Sequence, residues 1–135
     1  MRIIIYGHSK REFPNGWPDF EDYLRNELAE HGRYRHTQNK NADRILISIE
    51  GFLRAELWIK KKEKPTADEA ADFEQVYGKK PRSVYIVSEI RIIKNQKGVS
   101  LEELGIANIQ YGKSVDQNTY ARIVDLSQGF ELLES

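Results

Sequence analysis

The sequence contains no cysteine, four prolines and no long uninterrupted apolar run. The absence of cysteine excludes disulfide bonds and cysteine-ligated metal centres, and it suits a reducing compartment. No apolar stretch approaches the ~18–20 residues that a membrane-spanning helix needs, and the first residues lack the layout of a secretory signal peptide. These absences predict a cytoplasmic protein with no membrane segment.

An excess of charge of one sign is also missing, because 21 Lys and Arg residues balance 21 Asp and Glu residues. Residues 31–64 depart from this balance and carry nine basic against four acidic residues. A neutral chain with one basic segment is compatible with a face that binds anions or nucleic acid. A solvated strand edge rich in lysine gives the same pattern, so charge alone leaves both interpretations open.

The 135 residues suffice for one domain spanning 1–135, close to the ~100–150 residues of a common single domain. Alternating or β-branched apolar residues predict strands near 1–7, 45–50, 52–60 and 84–93, and an extended segment at 109–114. Apolar spacing, capping residues and stop glycines predict helices over 18–31, 66–77 and 116–126. The polar segment 33–43 is predicted as loop or irregular edge, and Ser100 to Gly105 as a one-turn helix.

These elements predict an α+β fold. Because the strands are short, separated by glycines and joined by hairpin-type connections, they do not suit a doubly wound parallel sheet. We expect a small, strongly bent sheet, mixed but mostly antiparallel, or a β-barrel, flanked by short helices.

Motifs for catalysis and metal binding are weak. Gly112-Lys113-Ser114 matches the last three residues of a phosphate-binding loop motif, but Ala107 occupies the position where that motif requires its first glycine. Glu56 and Lys60 share a strand face without an acidic partner, which favours a solvent-facing salt bridge over a nuclease centre. The three histidines lack the spacing of a zinc site. We therefore predict no catalytic residue, no metal and no cofactor.

The aromatic residues divide into two groups. Phe20, Tyr23, Phe73 and Tyr120 occupy the apolar faces of predicted helices, where packing is their expected role. The second group lies in polar segments that also carry Lys10, Arg11, Arg33 and Arg35; its members are Phe13, Trp17 and Tyr34. Aromatic rings among cations suit base stacking and phosphate contact. For Trp17 a hydrophobic staple at the helix start remains an equal alternative.

The order of elements resembles the PUA-like superfamily and, within it, the EVE, YTH and ASCH group. The stretches that carry this resemblance are Phe52–Ile59, Arg82–Lys94, Ser100–Ile106, Tyr111–Lys113 and Tyr120–Ile123. It covers nearly the whole chain as a pattern of elements, although the Gly-x-Lys-x-x-Glu signature of ASCH domains is absent. The resemblance implies a PUA-like β-barrel and a non-catalytic binding module, because EVE and YTH domains hold a modified, flipped-out base in an aromatic cage.

We therefore expect a reader of modified bases, with the cage where the loop after the first strand meets the start of the hairpin. The predicted pocket residues are Phe13, Trp17 and Tyr34 for stacking, and His8, Ser9 and Ser48 for polar base edges. The predicted phosphate contacts are Lys10, Arg11, Arg33, Arg35, Lys60, Lys61 and Lys62. The expected partner is nucleic acid, with DNA favoured over RNA, and a fused or associated nuclease or ATPase of a modification-dependent restriction or defence system. The alternatives are a protein-interaction or regulatory module and a small ASCH-like hydrolase.

Overall fold

Eight strands form one mixed sheet in the computed structural model of the chain, which describes residues 1–107 and 109–133. The strands are β1 Ile3–His8, β2 Arg33–His36, β3 Arg44–Ile49, β4 Phe52–Glu63, β5 Ser83–Ile93, β6 Val99–Ser100, β7 Lys113–Val115 and β8 Phe130–Leu133. The main path runs β2-β5-β4-β3-β1-β7, with β6 added to β4 and β8 added to β5. The pair β1–β3 is parallel and the other pairings are antiparallel, so the predicted mixed, mostly antiparallel sheet is confirmed.

The helices lie close to their predicted bounds. The first helical segment consists of α1 (Trp17–Tyr23), a π-helical turn (Leu24–Leu28) and α2 (Ala29–His31); the others are α3 (Ala67–Tyr77) and α4 (Gln117–Ser127). Gly32 ends the first segment in a left-handed conformation with φ 66°. At α3 both arms of the capping box form, since the Glu69 amide donates to Thr66 Oγ1 (3.1 Å) and the Thr66 amide donates to Glu69 Oε1 (3.0 Å).

The sheet is strongly curled but open, so the closed-barrel alternative is wrong. Tyr6 on β1 stacks on His36 of β2 with ring centroids 3.9 Å apart, although three strands separate β1 from β2 in the strand order. Within residues 1–107 and 109–133, β2 and β7 end the hydrogen-bonded path and do not pair with each other. Curling therefore brings distant strands into side-chain contact without closing the ladder.

Apolar residues pack on both faces of the sheet. On the first face, Phe20, Leu24 and Leu28 of the first helical segment cover the strands. On the second face, Ile123 of α4 and Val99 with the residues after it cover the strands. Both faces are thus largely shielded from solvent, which explains why the sequence of β3 is almost continuously apolar.

Three segments differ from the sequence predictions. Residues 33–36 form β2 instead of a loop, because Tyr34 and His36 are buried while the intervening arginines face outward. Residues 101–105 form turns and no helix, although Ser100 Oγ accepts the Glu103 amide (3.3 Å) as the predicted cap requires. The last strand, β8, was not predicted and pairs with β5.

Candidate ligand-binding site

A small cavity of about 40 Å³ lies on the first face of the sheet, between loop 9–16, the first helical segment, β2 and α3. We call it the aromatic cavity. Its lining residues are His8, Glu12, Phe13, Phe20, Tyr23, Glu27, Tyr34, Arg35, Phe73 and Tyr77. Aromatic rings dominate the lining, and the polar side chains of His8, Glu12, Glu27 and Arg35 lie among them.

A chain of hydrogen bonds enters the cavity from β1. His8 Nδ1 lies 3.0 Å from Glu12 Oε2, and His8 Nε2 lies 2.6 Å from the Tyr34 hydroxyl. Burial raises the pKa of the Glu12 carboxyl, but the hydrogen bond from His8 and its charge outweigh that effect, so the pKa is lowered. An ionised Glu12 accepts the Nδ1–H of His8, which leaves Nε2 as the acceptor of the Tyr34 hydroxyl when the ring is neutral.

This Glu–His–Tyr chain has the order of a catalytic relay, but its last member is not activated. Burial, followed by the nearby Tyr23, raises the pKa of Tyr34 well above its ordinary value. A nucleophile needs the opposite shift or an accessible hydroxyl, and Tyr34 is 1 % exposed. The arrangement therefore orients polar atoms towards the cavity instead of generating a nucleophile.

The rings of the cavity surround Phe13. Its ring contacts His8 edge-on (centroids 5.5 Å), Phe20 edge-on (4.8 Å) and Tyr23 at a tilt (6.0 Å). On the opposite wall, Phe73 and Tyr77 of α3 are in ring contact at 4.6 Å. Phe13 thus fills space that the aromatic walls would otherwise leave open, which explains the small volume.

A second polar group of residues adjoins the cavity beyond His8. Tyr6 donates to the Tyr85 hydroxyl (2.8 Å), which itself donates to the Lys40 carbonyl (2.6 Å). His36 lies over Tyr6, and its Nδ1 accepts the Gln38 amide (3.0 Å). Burial and then the neighbouring His8 lower the pKa of His36 to about 3, so His36 is neutral at ordinary pH.

The predicted pocket residues divide into two sets. Phe13, Tyr34 and His8 do come together in the aromatic cavity. Trp17 lies outside it and stacks on Phe20 (6.4 Å between ring centroids), where it also packs against the core.

The two serines also lie outside the aromatic cavity. Ser9 is exposed on the loop, and its amide donates to Glu12 (3.4 Å). Ser48 is buried between Ile47 and Ile49, whose side chains point to the first face, so strand alternation directs Ser48 to the second face.

The predicted phosphate-binding residues do not form one free positive face. Lys10 pairs with Glu50 (3.7 Å), Arg33 with Glu63 and Glu69 (3.0 and 2.8 Å), Arg35 with Asp72 (3.0 Å), and Lys61 with Glu63 (2.9 Å). Lys62 donates to the Asn39 carbonyl (2.9 Å). Arg11 and Lys60 are exposed without an ion pair in the described part of the chain. Carboxylates thus neutralise four of the seven predicted phosphate-binding residues.

Strand alternation would place Arg54, Lys60 and Lys62 on one face of β4, but the pairing of this strand is irregular. The pairing register shifts between Trp58 and Ile59 and again between Ile59 and Lys61. The first shift leaves Ser88 of β5 without a partner in β4, and the second leaves Lys60 of β4 without a partner in β5, so the two-residue alternation does not continue through Lys60.

Glu56 is fully buried, so the solvent-facing salt bridge predicted for it is wrong. Its Oε1 accepts the Trp58 indole N–H (2.7 Å) and lies 3.5 Å from Arg91 Nη1, while the Tyr120 hydroxyl donates to Oε2. Burial and the hydrogen bond to Glu56 raise the pKa of Tyr120 to about 12. The guanidinium carbons of Arg44 and Arg91 lie 4.3 and 4.8 Å from the Trp58 ring centroid. This network joins β3, β4, β5 and α4 on the second face.

Sequence reasoning missed part of the aromatic cavity. Phe20, Tyr23 and Phe73 were assigned to packing, and Glu12 and Glu27 were not singled out. Phe73 and Tyr77 are four residues apart on one helix face, a spacing that predicts a shared environment but not whether that environment is core or cavity. Only the position of α3 against loop 9–16 makes them part of a site.

Comparison of this chain with protein-family models, with curated proteins and with solved structures finds no match. The helices within residues 1–107 and 109–133 are all too short or too polar to cross a membrane. The same residues contain no group of three or more His, Cys, Asp or Glu side chains placed to hold a metal ion. The geometry of the chain itself must therefore carry the functional argument.

Proposed function

We propose that this protein is a non-catalytic reader module that holds a modified base, flipped out of a nucleic acid, in the aromatic cavity. The observation that carries the proposal is the convergence of six aromatic side chains and an oriented Glu12–His8–Tyr34 chain on one cavity. Extruding a base costs a few kcal/mol, which stacking and hydrogen bonds to the base edge must offset. The cavity walls offer both kinds of interaction.

The base enters as Phe13 moves aside. Ligand pockets usually enclose ~300–1,000 Å³, and the aromatic cavity has about 40 Å³. A groove of about 440 Å³ adjoins it and shares Tyr23, Glu27 and Arg35 with its lining. Phe13 stands on a loop with short-range backbone hydrogen bonds, since the Glu12 and Phe13 amides both donate to the Ser9 carbonyl (3.1 and 3.0 Å). Its displacement would enlarge the cavity beside this groove.

Phosphate contacts come from cations that lack carboxylate partners. Lys79, Lys80 and Arg82 follow Tyr77, and within residues 1–107 and 109–133 none of them has an ion pair. Arg11 lies on the loop beside Phe13 and is also exposed. These residues replace most of the predicted phosphate set. Cleavage of the nucleic acid, in a restriction or defence system, is assigned to a separate nuclease, and DNA is the favoured substrate.

Equilibrium binding tests the proposal. Labelled oligonucleotides that carry 5-methylcytosine, 5-hydroxymethylcytosine or N6-methyladenine are compared with unmodified ones by fluorescence anisotropy, as duplex and as single strand, DNA and RNA. Tyr77→Ala removes one stacking wall at the end of α3, where the side chain is only partly buried. The loss of ~1–3 kcal/mol corresponds to a roughly 5- to 150-fold weaker affinity for the preferred modified base.

Two matched variants control this experiment. Tyr111→Ala removes a tyrosine that is 64 % exposed, and it should leave the affinity unchanged. Lys80→Gln should weaken modified and unmodified strands alike and reduce the salt dependence by about one charge. Equal affinity of the native protein for every modified and unmodified strand, or an unchanged preference in Tyr77→Ala, contradicts the proposal.

The charge of the adjoining groove favours a second candidate, the binding of a cationic peptide. In this groove Arg33 pairs with Glu69 and Arg35 with Asp72, whereas Glu27 and Glu30 have no ion pair among the described residues. Two unneutralised carboxylates beside an aromatic cavity suit a lysine or methylated lysine side chain. Anisotropy with a lysine-rich peptide, free and trimethylated, distinguishes the candidates: saturable peptide binding without oligonucleotide binding favours the second.

A further inference from the structure

Trp17 lines a separate groove of about 420 Å³ that shares no residue with the aromatic cavity. We propose that this groove binds a nucleotide, with its base stacked on Trp17 and its phosphate held by Arg54 and Lys94. One part of the inference rests on the proposed function, namely that this nucleotide is a neighbour of the flipped base in the same strand. The same chemistry also fits a free mononucleotide.

A β-bulge directs Arg54 into this groove. Ile47 pairs with Ala55 and Ser48 pairs with Leu53, so Arg54 is an extra residue of β4 without a partner in β3. Bulges redirect the side chain of the inserted residue and are common beside functional sites. The guanidinium carbon of Arg54 lies 5.7 Å from the centroid of the Trp17 ring. Cation and aromatic ring thus form one surface, as in sites that stack bases and hold phosphates.

The charge of Arg54 is not matched by a carboxylate. Among the described residues no carboxylate lies within 4 Å of it, whereas Arg25, Arg33, Arg35 and Arg91 all have such a partner. Its Nη1 donates to the Gln96 carbonyl (2.6 Å), and its buried Nε has no partner in the described part of the chain. Burial lowers the pKa of Arg54, and the charges of Glu50 and Glu21 do not fully offset that effect. A guanidinium in this state gains from a bound anion.

The acidic residues of the groove do not oppose an anion strongly. Arg25 binds both Glu21 (3.0 Å) and Glu131 (2.9 Å) and so offsets part of their charge. Lys94 is exposed, lines the groove and has no ion pair within residues 1–107 and 109–133. Two cations and one aromatic ring in one groove match the phosphate and the base of a nucleotide.

Tryptophan fluorescence tests the site. Deoxyadenosine monophosphate, deoxyadenosine and a six-nucleotide single strand are each titrated into the native protein and into Trp17→Phe, which removes the reporter in the groove and leaves Trp58. We expect saturable quenching by the monophosphate in the native protein only, and an affinity at least ten-fold weaker for deoxyadenosine. A strand that binds at least ten-fold more tightly than the monophosphate assigns the site to nucleic acid. Equal affinities assign it to a free nucleotide.

Charge variants complete the test. Arg54→Gln should weaken binding of the monophosphate at least ten-fold, and Lys94→Gln about three-fold. Lys97→Gln, an exposed neighbour outside the groove lining, should bind like the native protein. Because Lys94 is exposed, its variant is informative even where Arg54→Gln folds poorly. No saturable quenching up to 10 mM, or native affinity in a folded Arg54→Gln or in Lys94→Gln, overturns the inference.

The same titrations separate this inference from the proposed function. Tyr77→Ala should lose the preference for a modified base and keep the quenching by the monophosphate. If no base modification is preferred but Arg54→Gln abolishes quenching, the proposed function is wrong and the nucleotide site in the groove is supported. If a modified base is preferred and Arg54→Gln has no effect on quenching, the nucleotide site in the groove is refuted and the proposed function is supported.

Discussion

Acidification from pH 7.5 to pH 5.0 is expected to destabilise the fold mainly through His36. The residue is 9 % exposed, its ring lies on Tyr6, and its Nδ1 accepts the Gln38 amide. Burial, with a further contribution from His8, lowers its pKa to about 3, while Glu12 acts in the opposite direction. The folded protein therefore resists protonation of His36 over a range where the unfolded chain takes up the proton.

The sign and the magnitude follow from proton linkage. An unfolded histidine has a pKa of ~6.5, so between pH 6.5 and pH 3 the unfolded state binds more protons than the folded state. The free energy of unfolding then falls as the pH falls below 6.5. At pH 5.0, about 1.5 units below the unfolded pKa, the loss is ~2 kcal/mol, because one unit corresponds to about 1.4 kcal/mol.

Urea denaturation at pH 5.0 and pH 7.5 measures this loss. In His36→Gln the difference between the two pH values should shrink by ~2 kcal/mol relative to the native protein. His31→Gln, at an exposed position at the end of α2, should keep the native difference. An unchanged pH dependence in His36→Gln, or a His36 ring that titrates near pH 6.5 by NMR, would refute the reasoning.

Three further predictions concern stability and are measured by urea or thermal denaturation. Phe20→Ala should cost ~3–5 kcal/mol, because the ring is fully buried between core and cavity, and a loss below ~1 kcal/mol would contradict that placement. Glu56→Ala should cost ~3–5 kcal/mol, since it leaves buried polar partners without their carboxylate, and a near-neutral effect would argue against the network. Thr66→Ala should cost ~1 kcal/mol while Thr66→Ser keeps native stability, and equal loss in both would exclude the cap as the cause.

The helices and the main strands could be predicted because their signals are local. Thr66 and Glu69 are three residues apart and satisfy the first amides of α3 between themselves, so no distant contact is needed. The hairpin between β3 and β4 is equally local, since Glu50 and Gly51 both adopt positive φ (53° and 85°) in its two-residue turn. Such elements follow from short-range stereochemistry and from the apolar pattern.

The strand β2 could not be predicted from the same signals. Its sequence alternates Arg33 and Arg35 with Tyr34 and His36, which resembles a polar loop. It becomes a strand because β5 supplies its hydrogen-bond partners and because the curled sheet provides a buried place for the Tyr34 and His36 rings. Pairing across some fifty residues is a tertiary effect that no local window contains.

The sequence by itself determined the helices and the main strands, the single basic segment, and the presence of Phe13, Trp17 and Tyr34 in polar segments. Tertiary structure decided which of those residues face one another: it placed Phe13, Tyr34 and His8 in one cavity and Trp17 beside Arg54 in another. It also brought Glu63 and Glu69 against Arg33 and so offset the charge of that arginine. The physical reason is that ring contacts and ion pairs act over a few ångströms in space, and sheet curvature and β-bulges, which sequence alternation does not encode, set those distances.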